Sequence, residues 1–202
     1  SHYVGCKNLF SLIKKNKNTK LFIQVGSSME YGKCTSPQKE NINCKPEGYY
    51  GIAKYKASNF LLKQSKKVNF PIIILRLYQI YGPYQMENRL IPFVINSCLK
   101  DRKFDCTEGK QIRNFAYIDD LTNLILKIIR TKNMNSEIIN FGHKNSIKIK
   151  NLILKIKKII KKGQPDFGKI KMRKDETLKL YPDITKISAM FKLKPKIDLD
   201  NG

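Results

Sequence analysis

Two short apolar runs, LFIQVGS at 21–27 and FPIIILRL at 70–77, limit the fold more than any other feature. Neither is long enough for a buried helix, and each is bounded by segments of helical spacing, the pattern of parallel strands covered on both faces. Before the first run lies the helical YVGCKNLFSLIKK. Between the two come a loop from about Gly32 to Pro46 and a helix from about Tyr50 to Lys66. After Pro83 follow two helical segments, NRLIPFVINSCLK and DDLTNLILKIIR, the strand EIINFG, a lysine-rich helix and an irregular end. The order predicts an α/β protein: a doubly wound parallel sheet with a smaller domain interleaved after it.

A chain of 202 residues, 41% of them hydrophobic, can bury a substantial core. Its apolar runs fall far short of the roughly 18 to 20 residues that span a membrane. No signal-peptide pattern opens it. A soluble, cytoplasmic protein with no membrane partner is expected. Five cysteines (Cys6, Cys34, Cys44, Cys98, Cys106) form an odd set without C-x-x-C, so they read as reduced thiols, with no disulfide framework and no metal site.

The formal charge of +24 raises the question of nucleic acid. The excess is almost all lysine, 34 against six arginines, scattered among many Ile and Asn as AT-rich codon usage would produce. Its densest cluster, Lys148 to Lys162, alternates with Leu152, Ile153, Ile156, Ile159 and Ile160 at three-to-four spacing. That is an amphipathic helix with one buried and one solvated face. Polyanion binding is therefore the alternative reading, and nucleic acid is not an expected partner.

YYGIAKYK, residues 49–56, sets Tyr50 and Lys54 one helical turn apart. With 34 Lys and 10 Tyr in the chain, chance alone supplies nearly two such pairs, and there are two, the other being Tyr3 with Lys7. Context must separate them. A phenol works as a base near neutral pH only after its acidity is raised by roughly three units, about 4 kcal/mol, which a nearby cation can supply. A hydroxyl at the end of a neighbouring strand would complete the site by orienting the substrate oxygen. GSSMEYG, residues 26–32, ends the first apolar run and offers Ser27 and Ser28.

At these residues the chain resembles the NAD-dependent epimerase/dehydratase family, extended short-chain dehydrogenase/reductases that act on nucleotide sugars. HYVGCKNL is similar to the family's N-x-x-G-T-x-N-L, GSSMEYG to S-S-x-x-V-Y-G, and YGIAK to Y-G-x-S-K. LRLYQIYGP is similar to L-R-x-x-N-x-Y-G-P, with RLIP after it, and EGKQIRNFAYIDD to G-x-Q-x-R-D-F-x-Y-V-x-D. INFG resembles Y-N-x-G, and RKDE with PDITK resembles R-x-G-D with A-D-x-S-K. Each is weak singly; in this order and spacing they are specific.

The resemblance selects Tyr50 over Tyr3 and, by spacing to Tyr31, Ser27 over Ser28 as the catalytic hydroxyl. It implies a Rossmann-type sheet, of which residues 1–82 form the C-terminal portion, while 83–202 form mainly a nucleotide-sugar-binding domain with some segments returning to the sheet. It implies NAD or NADP as cofactor and a homodimer through helices that include the tyrosine helix. Tyr50 would move the proton of a sugar hydroxyl as hydride moves at the same carbon. Lys54 would support the phenolate and, with Tyr50, hold the cofactor ribose, and Ser27 would orient the oxygen. Substrate binding falls to Ser28, Gln79, Arg113, Arg173 and Glu176, with Arg113 on the diphosphate. Gln79 stands where the family has Asn, Glu176 and Asn114 where it has Asp, and Asp120 reads as a helix N-cap.

Dehydratases of the family carry acidic residues immediately after the catalytic Ser/Thr, where this chain has Ser28 and Met29. C4 epimerisation or 4-keto reduction is therefore expected over 4,6-dehydration. No G-x-G-x-x-G occurs in the 202 residues. The family's glycine-rich turn precedes the helix with which this chain begins, so the chain reads as a fragment that binds NAD poorly on its own.

Overall fold

The computed structural model describes residues 2–173 and 176–202. The first part contains α1 (His2–Ile13), β1 (Phe22–Val25), one 3-10 turn (Ser28–Glu30), α2 (Gly48–Val68) and β2 (Ile72–Leu77). Then follow β3 (Gln79–Tyr81), α3 (Leu90–Leu99), β4 (Lys103–Cys106), β5 (Ile112–Tyr117), α4 (Ile118–Arg130) and β6 (Glu137–Phe141). The remainder comprises β7 (Ser146–Lys148), α5 (Ile149–Ile160), β8 (Gln164–Phe167), β9 (Lys179–Leu180) and α6 (Thr185–Phe191).

The two apolar runs pair as parallel strands, with Ile23 opposite Ile73, and β6 adds on the far side of β2, with Ile74 opposite Ile138. Ile72 and Ile74 face α1 and α2, where Cys6, Phe10, Ala57 and Leu61 cover them. Ile73 and Leu75 face the opposite way, into Leu124, Ile128, Ile187 and Phe191 of α4 and α6. An all-apolar strand is thus used on both faces, since successive side chains alternate across a sheet. Each fully buried aliphatic side chain contributes about 1.5–3 kcal/mol of transfer free energy.

A second layer is built around β5, which pairs in parallel with β3 and β9 and antiparallel with β7. The parallel pair β4–β8 lies beside it in the chain's later half. Phe104, Phe115, Leu152, Ile153 and Val94 form the core here. The lysine-rich helix α5 buries Leu152, Ile153 and Ile156 and turns Lys150 and Lys158 outward, as its spacing predicts. All five cysteines are free thiols. No helix among the described residues is long and apolar enough to cross a membrane.

Two expectations about the end of the chain change. The segment read as irregular contains α6, whose Ile187 and Phe191 complete the sheet's second face. Asp120 is not the N-cap of α4; Tyr117 holds that place, without a side-chain cap bond. Asp120 Oδ2 instead accepts the backbone N–H groups of Lys196 and Ile197 at 2.9 and 3.0 Å. Those amides lie outside any helix or strand and need an acceptor, which a carboxylate of the neighbouring helix provides.

Candidate active site

β1 ends at Val25, and the chain turns at once into a 3-10 turn capped by Ser27. Ser27 is extended (φ −154°, ψ 147°), and its Oγ accepts the Met29 N–H at 3.2 Å. Its hydroxyl hydrogen remains available to donate. Glu30 closes the reciprocal half of this capping box, its Oε1 accepting the Ser27 N–H at 3.0 Å. Ser27 therefore sits rigidly at the C-terminal edge of the parallel sheet, where open α/β sheets bind their ligands.

Helix α2 brings the other two groups. Its first turn lies against the 3-10 turn: a Cβ placed on Gly51 would stand 2.6 Å from the Met29 carbonyl oxygen. Only glycine permits that approach, and it sets Tyr50, one residue earlier, beside the serine turn. Tyr50 is 48% exposed, with His2 of α1 edge-on to its ring at 5.3 Å between centroids. Lys54 is buried; its Nζ lies 5.8 Å from the Tyr50 ring centroid and donates to the Val25 carbonyl at 2.9 Å. Burial pulls the Lys54 ammonium below its ordinary range, opposed by the charges of Glu30 and then Cys6. An ammonium has three N–H groups, and among the described residues only one finds a protein acceptor.

The predicted substrate residues divide. Gln79, Arg113, Arg173 and Glu176 line one cavity of about 370 Å³, together with Asn88, Arg89 and Phe115. Within it Glu176 bridges both arginines: Oε1 pairs with Arg113 Nη2, and Oε2 accepts from Arg173 Nη2 at 3.1 Å. Burial lowers the Arg113 pKa, with Glu176 opposing. Ser28 is buried in the 3-10 turn and lies outside this lining. Asn114, standing for the motif's Asp, turns both ends of its amide to the β6–β7 connection. Oδ1 accepts the His143 N–H, and Nδ2 donates to the His143 carbonyl, each at 2.7 Å.

Sequence reasoning missed Glu30 and Arg76. Their side chains form a buried ion pair, Oε2 to Nε 3.0 Å, with exposures of 0% and 2%. Arg76 also stacks on Tyr31, 4.5 Å from the ring centroid, and Tyr31 donates to Asn140 at 2.8 Å. The available signal was a pair of opposite charges at two neighbouring strand ends, Glu30 in GSSMEYG and Arg76 in the otherwise apolar IIILRL.

A profile of the NAD dependent epimerase/dehydratase family matches residues 1–142. Among curated proteins, a putative UDP-glucose 4-epimerase of Methanocaldococcus jannaschii is 27% identical over 205 residues, covering 98% of this chain and 65% of the relative. A CDP-abequose synthase of Salmonella muenchen is 28% identical over 155 residues, 72% of this chain and 53% of its own. A crystal structure of UDP-glucuronic acid 4-epimerase from Bacillus cereus, in complex with UDP-glucuronic acid and NAD, superposes with a TM-score of 0.91 at 27% identity. It covers 100% of this chain and 64% of that one. The chain thus spans about two thirds or less of the length of these relatives. With the profile covering well over half of its residues, and the folds superposing along its whole length, the chain belongs to the NAD dependent epimerase/dehydratase family.

Proposed function

We propose that the protein carrying this chain is an NAD-dependent nucleotide-sugar enzyme that epimerises C4 or reduces a 4-keto sugar, with Tyr50 as its acid/base. The observation that supports this reading is the close approach of α2 to the 3-10 turn at Gly51, alongside Lys54 on the Val25 carbonyl at the end of β1 and Ser27 capping the turn that follows. The residues present fit the ribose end of the cofactor, since Lys54 keeps N–H groups beyond the one held by Val25 and Tyr50 is half exposed beside it. When bound, NAD supplies the hydride acceptor and donor.

The chain's own residues supply the proton chemistry. Ser27 donates to the sugar oxygen and holds it towards the phenol, while Tyr50 takes or returns its proton. Lys54 stabilises the negative charge that develops on the Tyr50 oxygen, an electrostatic effect that grows as water is excluded. Arg113 and Arg173 suit a diphosphate, because a guanidinium fork matches two phosphate oxygens. Met29 stands beside the serine turn and carries no exchangeable proton, which favours C4 chemistry over the elimination of water.

The test is turnover of the intact protein on a panel of UDP-, dTDP- and CDP-hexoses with NAD or NADPH. Tyr50→Phe is expected to lower kcat by about 10²–10⁴-fold while leaving KM nearly unchanged. Full activity in that variant would overturn the assignment.

A further inference from the structure

Glu30 lies in the middle of this site and the reaction as described does not use it. The motif that GSSMEYG resembles has valine here, and an apolar residue would suit a position with 0% exposure. A carboxylate is found instead, and its surroundings are shaped for it. A Cβ on Gly26 would stand 2.6 Å from Glu30 Oε1 and 3.1 Å from the Leu75 carbonyl, so the strand end leaves room for the carboxylate by having no side chain. Both oxygens are used: Oε1 by the Ser27 N–H at 3.0 Å and Oε2 by Arg76 Nε at 3.0 Å. Arg76 Nη1 has no partner among the described residues, so the guanidinium is held here at the expense of one unmade bond.

We propose that Glu30 is a positioning residue for the Ser27–Tyr50–Lys54 site: its buried carboxylate fixes the Ser27 backbone, and with it the hydroxyl's direction, and places a negative charge beside the Lys54 ammonium. The proposal rests on the reading of that site given above. Among the described residues the groups that face Lys54 are few. From α1 come Cys6 and His2, the latter through Tyr50; from the 3-10 turn comes Glu30, backed on β2 by Arg76; on α2 itself stands Tyr50. Glu30 is the one carboxylate among them, and its field opposes the burial that works against the lysine's charge. The second half of the device is geometric. With its N–H locked to Oε1 and its Oγ locked to Met29 N–H, Ser27 has only its hydroxyl hydrogen left to turn.

The test needs no substrate. Lysine labelled with 13C at Cε is incorporated into the intact protein carrying this chain, and the Lys54 resonance is identified by its loss in Lys54→Arg. Glu30→Gln keeps the side-chain shape and removes the charge. Its Lys54 midpoint is expected to fall, and the Ser27 amide proton to move upfield as a charge-assisted bond becomes neutral. Should Glu30→Gln fail to fold with Arg76 unpaired, Glu30→Gln/Arg76→Gln removes both charges of the pair, whose effects on Lys54 oppose each other, so the readout there is the Ser27 amide proton, which should move upfield as in the single variant. An unchanged Lys54 midpoint in folded Glu30→Gln, or an unmoved Ser27 amide proton in either folded variant, overturns the proposal, because a purely structural Glu30 would move neither. That result would leave the assignment of Tyr50 standing, since Tyr50→Phe turnover is measured separately on the intact protein.

Discussion

Among the described residues two carboxylates hold arginines, and their settings differ. Glu30 meets Arg76 inside the sheet edge, with exposures of 0% and 2%, and both oxygens are committed. Glu176 meets Arg113 and Arg173 in the wall of a cavity, with one of its arginines 81% exposed. A desolvated pair has no alternative partner, so breaking it leaves a charge stranded. On its exposed Arg173 side the cavity cluster can exchange its carboxylate for water or for another anion at little cost, while Arg113 on the inner side is largely buried. Similar chemistry thus builds a fixture in one place and a replaceable contact in the other.

The largest effect should come from splitting the fixture. Glu30→Leu leaves Arg76 buried without a counter-charge and is expected to lower stability by about 3–5 kcal/mol, read from urea unfolding. Glu30→Leu/Arg76→Met should recover most of that loss, and no recovery would mean that the pair does more than neutralise itself. Arg113→Ala is the matching change in the cavity. There, if the proposed function holds, the loss should fall on binding, with affinity for UDP used as the probe down about 10- to 100-fold by calorimetry, and unfolding should shift by about 1–3 kcal/mol because Arg113 is largely buried, less than for Glu30→Leu. A stability loss as large as that of Glu30→Leu would erase the contrast. Glu176→Gln should be milder still. It removes the counter-charge of both guanidinium groups, so binding of UDP as the probe tightens by a small factor, while stability falls by about 1 kcal/mol because Arg113 is largely buried.

The smallest effect concerns a third carboxylate, outside either cluster. Asp183 Oδ1 accepts the Thr185 N–H at 2.8 Å at the start of α6, and hydrogen bonding from Thr185, first from its side chain and then from this backbone N–H, holds the Asp183 pKa below the ordinary carboxylate range. A lowered folded-state pKa contributes stability above the unfolded pKa and loses it as pH falls through the folded one. Asp183→Asn should therefore cost under about 1 kcal/mol at neutral pH, and the difference from the parent should vanish in acid. A difference that persists at low pH would show that the asparagine is failing sterically.

The parallel sheet was legible because Ile72 to Leu75 are consecutive, apolar and fully buried, a pattern that admits few other structures. Helix α2 was legible in place though not in extent: it begins at Gly48, two residues before the predicted start, within the usual uncertainty of helix ends. Strands β4 and β8 were not anticipated. KFDC alternates buried Phe104 and Cys106 with outward Lys103 and Asp105 over only four residues, and QPDF contains a proline. The tyrosine, lysine and serine could be named from ordered motifs. Glu30 and Asp120 could not, since their meaning lies in partners 46 and 76 residues away in the chain, Arg76 and Lys196. A local window holds the carboxylate and omits whatever it serves.

The contact between Gly51 and the Met29 carbonyl has a consequence for how this site can vary. Because the tyrosine helix touches the serine turn where a methyl group would otherwise sit, Gly51→Ala should wedge the two apart as a unit. Every proton-handling group would remain, yet the protein would be left with a catalyst assembled at the wrong separation.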